Sequence, residues 1–319
     1  MLTAQFPYFG SKRHAAEMIW QALGDVASYC EPCCGSAAVL LNRPGGAGRI
    51  ETINDVCGLV CNYWRAVKLK PQELAQWLDY PVSELDLTAR HGWLNARVTT
   101  LASELEADPD FCDPKAAGWW AWGASCWIGS GWCDGKSSGS KLPHLSDAGV
   151  GSHRRQLPHL QDAGRSVAAR TDGEGGPRDL LAWSMRLANR LREVRVVCGD
   201  WRRVVTKSAL SAAMVNDRVG IFLDPPYEKG ASGLYSNERA GIASEVAAWA
   251  LAANPKWRIV LAGYEGLDMP GWRCEEWYAE GFGTGGYNRT DTGRRERLYL
   301  SPSCLSIKPR ARQEALFQH

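Results

Sequence analysis

The sequence predicts an α/β fold in which a mainly parallel β-sheet is covered by helices on both faces. The first observation behind this prediction is alternation: short apolar segments alternate along the chain with segments whose apolar residues recur at helical spacing. The second is that several of the apolar segments end in an acidic or a small residue. Strands that lead to a ligand site at one edge of a parallel sheet end in this way.

Five short apolar segments are predicted strands, at 28–31, 49–53, 194–198, 219–223 and 258–262. Helices are predicted between them at 37–41 and 59–68, and along an apolar face formed by Ile242, Val246, Trp249 and Ala253. A further helix, with Leu180, Leu187 and Leu191 on one face, is expected to start near Pro177. An N-terminal helix precedes them all, with Ser11 as its expected cap and Gly24 at its end.

The stretch from about 70 to 178 does not alternate in this way. It contains an amphipathic segment bearing Leu87, Leu94 and Leu101, and then a Trp-rich segment at 119–132 whose side chains are expected to form a local core. A Gly/Ser-rich segment and an octapeptide that occurs twice, at 142–149 and 157–164, come next. We interpret 70–178 as an insert in an α/β domain formed by 1–69 and 179–302, with 303–319 as a flexible tail.

The formal net charge is only +2, so the charge of the whole chain does not point to a nucleic-acid partner. Segment 136–170 is locally basic, however. Its cations are either part of a solvated loop or positioned to neutralise DNA phosphates. The residues expected to face DNA are Lys136, Lys141, Arg154, Arg155 and Arg165.

Eleven cysteines are present, but the only C-x-x-C pair, Cys30 and Cys33, has no second pair at zinc-site spacing. We therefore expect reduced, mostly buried thiols and no metal. No charged-then-apolar signal segment opens the chain, and the longest apolar run is too short to span a bilayer. A cytoplasmic protein without a membrane partner is expected.

The strongest chemical motif is the tetrapeptide from Asp224 to Tyr227, which follows the predicted strand 219–223. The exocyclic amino nitrogen of a base is a poor nucleophile, because its lone pair is delocalised into the ring. Asp224 and the carbonyl of Pro225 can both accept hydrogen bonds from this group and stabilise the positive charge that grows on it. Pro225 and Pro226 fix the backbone, and Tyr227 can stack on a base that has left the duplex.

Three further motifs lie beside predicted strand ends or a helix start, and each alone is equally typical of an ordinary turn. A small-residue turn after 28–31 and Asp55 after the next strand suit a nucleoside, since an acidic side chain there can bind ribose hydroxyls. Asp200 and Trp201 could bind and stack an adenine. An aromatic pair, a glycine and a lysine open the chain. The residues concerned are Tyr8, Phe9, Gly10, Lys12, Glu31, Pro32, Cys33, Gly35, Ser36, Asp55, Asp200 and Trp201.

In combination, these motifs resemble the DNA adenine methylase family, in the group that orders cofactor motifs, recognition region and Asp-Pro-Pro-Tyr motif along the chain. The resemblance extends to a closing strand around 297–302, and the basic insert resembles proteins of this type from phages and prophages. It implies S-adenosyl-L-methionine as cofactor, held by the residues just named together with Asp224. Three positions depart from the family pattern: Ser11 and Ala37 replace usual glycines, and Cys33 replaces a usual phenylalanine.

The resemblance implies a Rossmann-like, mixed seven-stranded methyltransferase sheet with an inserted target-recognition domain. The expected activity is site-specific methylation of adenine N6 in double-stranded DNA by base flipping, in the cytoplasm of a bacterium or a phage-infected cell. Methylation of cytosine N4 uses the same acceptor geometry and remains an alternative. An RNA substrate, or a catalytically silent DNA-binding protein, would also be compatible with parts of this sequence.

Overall fold

The centre of the molecule is a seven-stranded mixed β-sheet with strand order β3-β2-β1-β4-β5-β7-β6. The structure, a computed structural model, describes residues 2–8, 10–45, 50–127, 132–133, 179–226, 241–277 and 296–307. All neighbouring strands are parallel except β7, which is antiparallel to both β5 and β6. The strands are β1 (Ser28–Glu31), β2 (Ile50–Asp55), β3 (Val194–Cys198), β4 (Val219–Leu223), β5 (Arg258–Tyr264), β6 (Arg273–Glu276) and β7 (Glu296–Leu300).

The predicted strands are confirmed, with changes at their ends. β1, β3 and β4 have the expected bounds, whereas β2 and β5 each extend two residues beyond the predicted carboxyl end. The expected closing strand is present as β7. β6 was not predicted, because its sequence, Arg-Cys-Glu-Glu, carries no apolar pattern and its side chains are exposed or half-buried at the sheet edge.

The described residues also form eight α-helices and one short 3₁₀ helix, Trp201–Val204. Four helices lie in the first part of the chain and four follow. They are α1 (Ala16–Leu23), α2 (Ala38–Leu41), α3 (Gly58–Leu69), α4 (Pro71–Leu78), α5 (Glu84–Ala107), α6 (Pro114–Cys126), α7 (Leu180–Leu191) and α8 (Ile242–Ala252). None of the helices in the described part of the chain is long and apolar enough to cross a membrane.

The ends of α1 show one correct and one incorrect expectation. Gly24 ends the helix as predicted, with φ +60° and its N–H donating to the carbonyl of Trp20. The expected cap at Ser11 is wrong, since the N-cap residue is Ala15 and no side chain caps the helix. The Ser11 hydroxyl instead lies 3.1 Å from the hydroxyl of Ser36, a contact that brings the N-terminal segment to the turn after β1.

Both faces of the central strands β4 and β5 are buried. On β4, Phe222 packs into one hydrophobic cluster with α1 and α3, whereas Ile221 and Leu223 pack into a second cluster with α8. Adjacent residues on β5 divide in the same manner. This division explains why β4 and β5 are continuous apolar runs rather than alternating ones.

Helices α4, α5 and α6 contribute to the first of these clusters, the one that contains Phe222. Within the predicted insert, Trp120 and Trp122 are buried, as a core role requires, but they pack in a cluster shared with strands of the sheet and not in a separate local core. The remainder of the expected insert, including the repeated octapeptide, lies outside the described residues. Its role in recognition, and the domain division at residue 70, stay predictions.

Candidate functional site

The candidate site lies at the carboxyl ends of β1, β2 and β4. β1 is flanked by β2 on one side and β4 on the other, so the chain leaves β1 in one direction across the sheet and later returns to its opposite side. Open α/β sheets bind ligands in the crevice at such a reversal of strand order. Each of these three strands supplies a carboxylate: Glu31 ends β1, Asp55 ends β2 and Asp224 directly follows β4.

Asp224 lies at the crevice with its side chain 20% exposed, and its Oδ1 is 3.0 Å from the ammonium nitrogen of Lys12. Pro225 is buried and Pro226 half-buried, so the prolines are packed while the carboxylate keeps partial access to solvent. Tyr227, the last residue of the predicted catalytic motif, lies outside the described residues.

Lys12 is almost fully buried, with 2% of its side chain exposed. Its ammonium donates to the carbonyl of Gly10 at 2.7 Å, and it lies 5.8 Å from the ring centroid of Trp277. The same ammonium is 3.9 Å from Oε2 of Glu296. A buried ammonium needs opposite charge nearby, and here two carboxylates supply it. Neither carboxylate partner of Lys12 was predicted from the sequence.

Asp55 is buried at the end of β2 and accepts two backbone hydrogen bonds. Oδ2 accepts from the N–H of Gly35 at 3.0 Å, and Oδ1 accepts from the N–H of Cys57 at 2.9 Å. Burial raises the pKa of Asp55, and these hydrogen bonds act in the opposite direction. Each carboxylate oxygen retains a second lone pair, so Asp55 can still accept a ligand hydroxyl.

Asn54 holds the strand ends together beside Asp55. Its amide nitrogen donates to the carbonyls of Pro32 and Gly199, at 2.8 and 3.0 Å, which joins the turns after β1 and β3. Its Oδ1 atom is buried and accepts no hydrogen bond from any described residue. A buried acceptor in this condition is costly unless a ligand or water satisfies it.

The Glu31 carboxylate is bound by groups of the protein itself. The carboxylate is buried, and its Oε1 accepts from the hydroxyl of Tyr29 at 2.7 Å and from the backbone N–H of Leu40. Burial raises the pKa of Glu31 to about 8, partly opposed by those two hydrogen bonds. Glu31 therefore ties the end of β1 to α2.

The turn after β1 requires left-handed backbone at two positions, Gly35 with φ +45° and Ala37 with φ +47°. The Tyr8 ring packs against Gly35 so closely that a Cβ atom there would lie 2.7 Å from Cδ1 of Tyr8 and closer still to Cε1. Ala37 occupies a position where the family that the sequence resembles has glycine, and its left-handed φ gives a physical reason for that usage. Cys33, the other departure in this turn, is half-buried.

Asp200 and Trp201 follow β3 at the same edge, but both are engaged within the protein. The Asp200 carboxylate accepts from the backbone N–H and from the guanidinium of Arg202, both at 2.9 Å. The Trp201 side chain is buried and packs edge-on against Trp249, with ring centroids 5.6 Å apart. Any adenine held here would have to share Asp200 with Arg202.

Two site residues, Asn54 and Glu296, were not singled out as ligand-binding residues from the sequence. Asn54 stands beside the predicted Asp55, so its position in the motif was the available signal. Glu296 begins the antiparallel strand β7, so it is not among the polar residues that follow an apolar segment. Phe9 and the five basic residues of 136–165 lie outside the described residues.

The cysteines and the other potential ligands form no metal centre in the part of the chain that the structure describes, where no three His, Cys, Asp or Glu side chains could hold an ion together. All eleven cysteines fall in that part of the chain, and seven of them are buried. No protein-family model and no curated protein matches the chain.

Proposed function

We propose that the protein is a DNA methyltransferase that transfers a methyl group from S-adenosyl-L-methionine to an exocyclic amino group, N6 of adenine, in double-stranded DNA. One observation carries this proposal. A partly exposed carboxylate followed by two packed prolines stands at the carboxyl end of β4, at the same edge of the sheet as the acidic residue that ends β2.

Asp224 and the carbonyl of Pro225 are the groups proposed to act on the base. Both are hydrogen-bond acceptors, and together they can hold the two N–H groups of an amino substituent. This draws the nitrogen toward tetrahedral geometry and stabilises the positive charge that develops as it acts as a nucleophile. Pro225 and Pro226 limit backbone motion, so the acceptors are oriented before the base arrives.

The residues proposed to hold the cofactor suit a nucleoside. Asp55 has lone pairs left for ribose hydroxyls, and the Oδ1 atom of Asn54 is a buried acceptor with no hydrogen bond from the described residues. When bound, S-adenosyl-L-methionine would supply a methyl group on a positively charged sulfur, which the amino nitrogen takes up as it loses a proton. The mixed seven-stranded sheet also supports the proposal, because it is the architecture that the resemblance implies.

The test is to incubate the purified protein with unmethylated DNA and S-adenosyl-L-methionine, digest the DNA and identify the nucleosides by mass spectrometry. We expect N6-methyl-2′-deoxyadenosine. N4-methyl-2′-deoxycytidine would retain the mechanism and overturn the choice of base. If cofactor binding is demonstrated by calorimetry and neither nucleoside forms, the DNA methyltransferase proposal is overturned in favour of an RNA substrate or a silent DNA-binding protein.

Asp224→Ala provides the mutational test. We expect turnover to fall at least about a hundredfold, in line with the loss of one preorganised group that stabilises developing charge, while cofactor binding is largely retained. Asp25→Ala is the matched control. Asp25 precedes β1, so it lies at the opposite edge of the sheet, where it is exposed and 4.0 Å from Arg43. Wild-type turnover in Asp224→Ala would contradict the assignment.

A further inference from the structure

The antiparallel direction of β7 brings into the candidate site a residue from the amino end of a strand. Parallel strands deliver their carboxyl ends to the crevice edge, whereas an antiparallel strand delivers its first residue there. Glu296 is the first residue of β7 and pairs with Tyr264, the last residue of β5. The carboxylate of Glu296 therefore enters the same edge as Asp224, from the far side of β5.

Glu296 is largely buried, with 14% of its side chain exposed, and it faces Lys12. Its Oε2 atom is buried, accepts no hydrogen bond from any described residue and lies 3.9 Å from the Lys12 ammonium. Burial raises the pKa of Glu296, and the charge of Lys12 opposes this. An acceptor atom is thus held within ion-pair range of the lysine while its hydrogen-bonding capacity is unused.

Lys12 stands between two carboxylates at unequal distances, 3.0 Å from Asp224 and 3.9 Å from Glu296. In this arrangement its ammonium lies against the carboxylate that the target amino group is proposed to engage. The lysine's charge would also oppose the positive charge that develops on the amino nitrogen. A shift of the ammonium by about 1 Å toward Glu296 would bring it to hydrogen-bond distance of Oε2.

We propose that Glu296 is a positioning residue that receives the Lys12 ammonium when the amino group of the target base engages Asp224. This inference rests on the proposed function and deepens it. With Glu296 present, two carboxylates face two positive centres, the lysine and the activated nitrogen. Without it, Lys12 stays on Asp224, and the developing charge on the nitrogen has no carboxylate of its own.

The test measures the single-turnover rate constant of methyl transfer in saturated complexes with cofactor and DNA. Glu296→Gln keeps the size of the side chain and removes the charge, and we expect the rate constant to fall about tenfold to a hundredfold, with cofactor affinity changed much less. Glu296→Asp, which restores the charge on a shorter side chain, should recover part of this loss. Glu276→Gln is the matched control, because Glu276 ends β6 at the same edge but pairs with Arg297.

A double-variant cycle separates positioning from a merely structural role. If Glu296 acts only by accepting Lys12, then Glu296→Gln should change the rate constant less than about threefold in a Lys12→Met background. An equal fold-loss in both backgrounds, with normal thermal unfolding, would overturn the positioning role. If Glu296→Gln transfers the methyl group at the wild-type rate, the positioning role is overturned as well. In either case the methyltransferase proposal stands. Absence of any transfer by the wild-type protein overturns the proposed function and this inference together.

Discussion

Replacing Gly35 by alanine tests whether the turn after β1 is shaped by the ring of Tyr8. Gly35 has φ +45°, and a Cβ atom built on it would lie 2.7 Å from Cδ1 of Tyr8 and nearer to Cε1. Real Cβ atoms do not approach carbon atoms so closely, so the ring or the turn must move. The N–H of Gly35 also donates to Asp55, and a displaced turn would weaken this hydrogen bond at the proposed cofactor site.

Two costs and one gain determine the expected magnitude. Left-handed backbone costs an alanine about 1–2 kcal/mol, and overpacking against the ring costs about 1–3 kcal/mol more. Alanine reduces the entropy of the unfolded chain, which returns about 0.4–1 kcal/mol. We therefore expect Gly35→Ala to lower the free energy of unfolding by about 3 kcal/mol.

The measurement is urea unfolding followed by circular dichroism, with Gly266→Ala as the matched control. Gly266 also has positive φ, +89°, but a Cβ atom there would meet no heavy atom within 4 Å, so this control reports backbone strain alone. The two variants should differ by about 2 kcal/mol, the overpacking cost. In a Tyr8→Ala background this difference should largely disappear. Equal losses for Gly35→Ala and Gly266→Ala would refute the argument, as would an overpacking cost that persists without the Tyr8 ring.

Further predictions concern stability away from the reaction. The pKa of Glu31 is raised to about 8, so its contribution to stability is full below the ordinary carboxyl pKa and is lost as the pH rises toward about 8. Urea unfolding between pH 5 and 8 should show stability falling by up to about 1.4 kcal/mol per pH unit, and Glu31→Gln should remove this part of the slope; identical slopes would contradict it. Glu51→Ala should cost about 3–5 kcal/mol in the same assay because it removes the buried carboxylate that pairs with Arg43 and Arg190 and leaves the guanidinium of Arg43, 1% exposed, with the exposed Asp25 at 4.0 Å. Arg43→Met should restore part of that loss rather than add to it. In helix interiors, Gly92→Ala should stabilise by about 0.5–1 kcal/mol, since no atom lies within 4 Å of the new methyl, whereas Gly118→Ala should destabilise by about 1–3 kcal/mol, because its methyl would lie 2.8 Å from the backbone of α4; thermal shifts of the same sign would contradict this pair.

The strands could be predicted where burial of their side chains produces an apolar pattern in the sequence. β4 is buried on both faces and its sequence is a continuous apolar run, so its predicted bounds agree with the observed ones. The end of β2 was placed too early, because Asn54 and Asp55 are polar. Their strand conformation comes from parallel pairing with β3, which continues to the Asp55–Cys198 pair. Pairing of this kind depends on a partner far along the chain and leaves no local signal.

In the candidate site, too, short-range features could be predicted and long-range contacts could not. Local motifs located Asp55 and Asp224, because strand ends and turns are short-range features. They did not reveal that Lys12 pairs with Asp224, since that contact joins the N-terminal segment to the end of β4. The engagement of Asp200 by Arg202 involves residues only two apart, yet the sequence shows no preference between this pairing and a ligand.

The register of β7 decides which charge enters the site. Successive residues of a strand face opposite sides of a sheet, so a slip of one residue would place the cation of Arg297 where the carboxylate of Glu296 meets Lys12. Two contacts hold the register: the Tyr299 hydroxyl donates to the carbonyl of Tyr264 at 2.7 Å, and the Ser301 hydroxyl accepts from the N–H of Ile259 at 2.9 Å. Both join β7 or the residue after it to β5. The charge arrangement around Lys12 therefore depends on hydrogen bonds at both ends of one strand pair, remote in sequence from Lys12 itself.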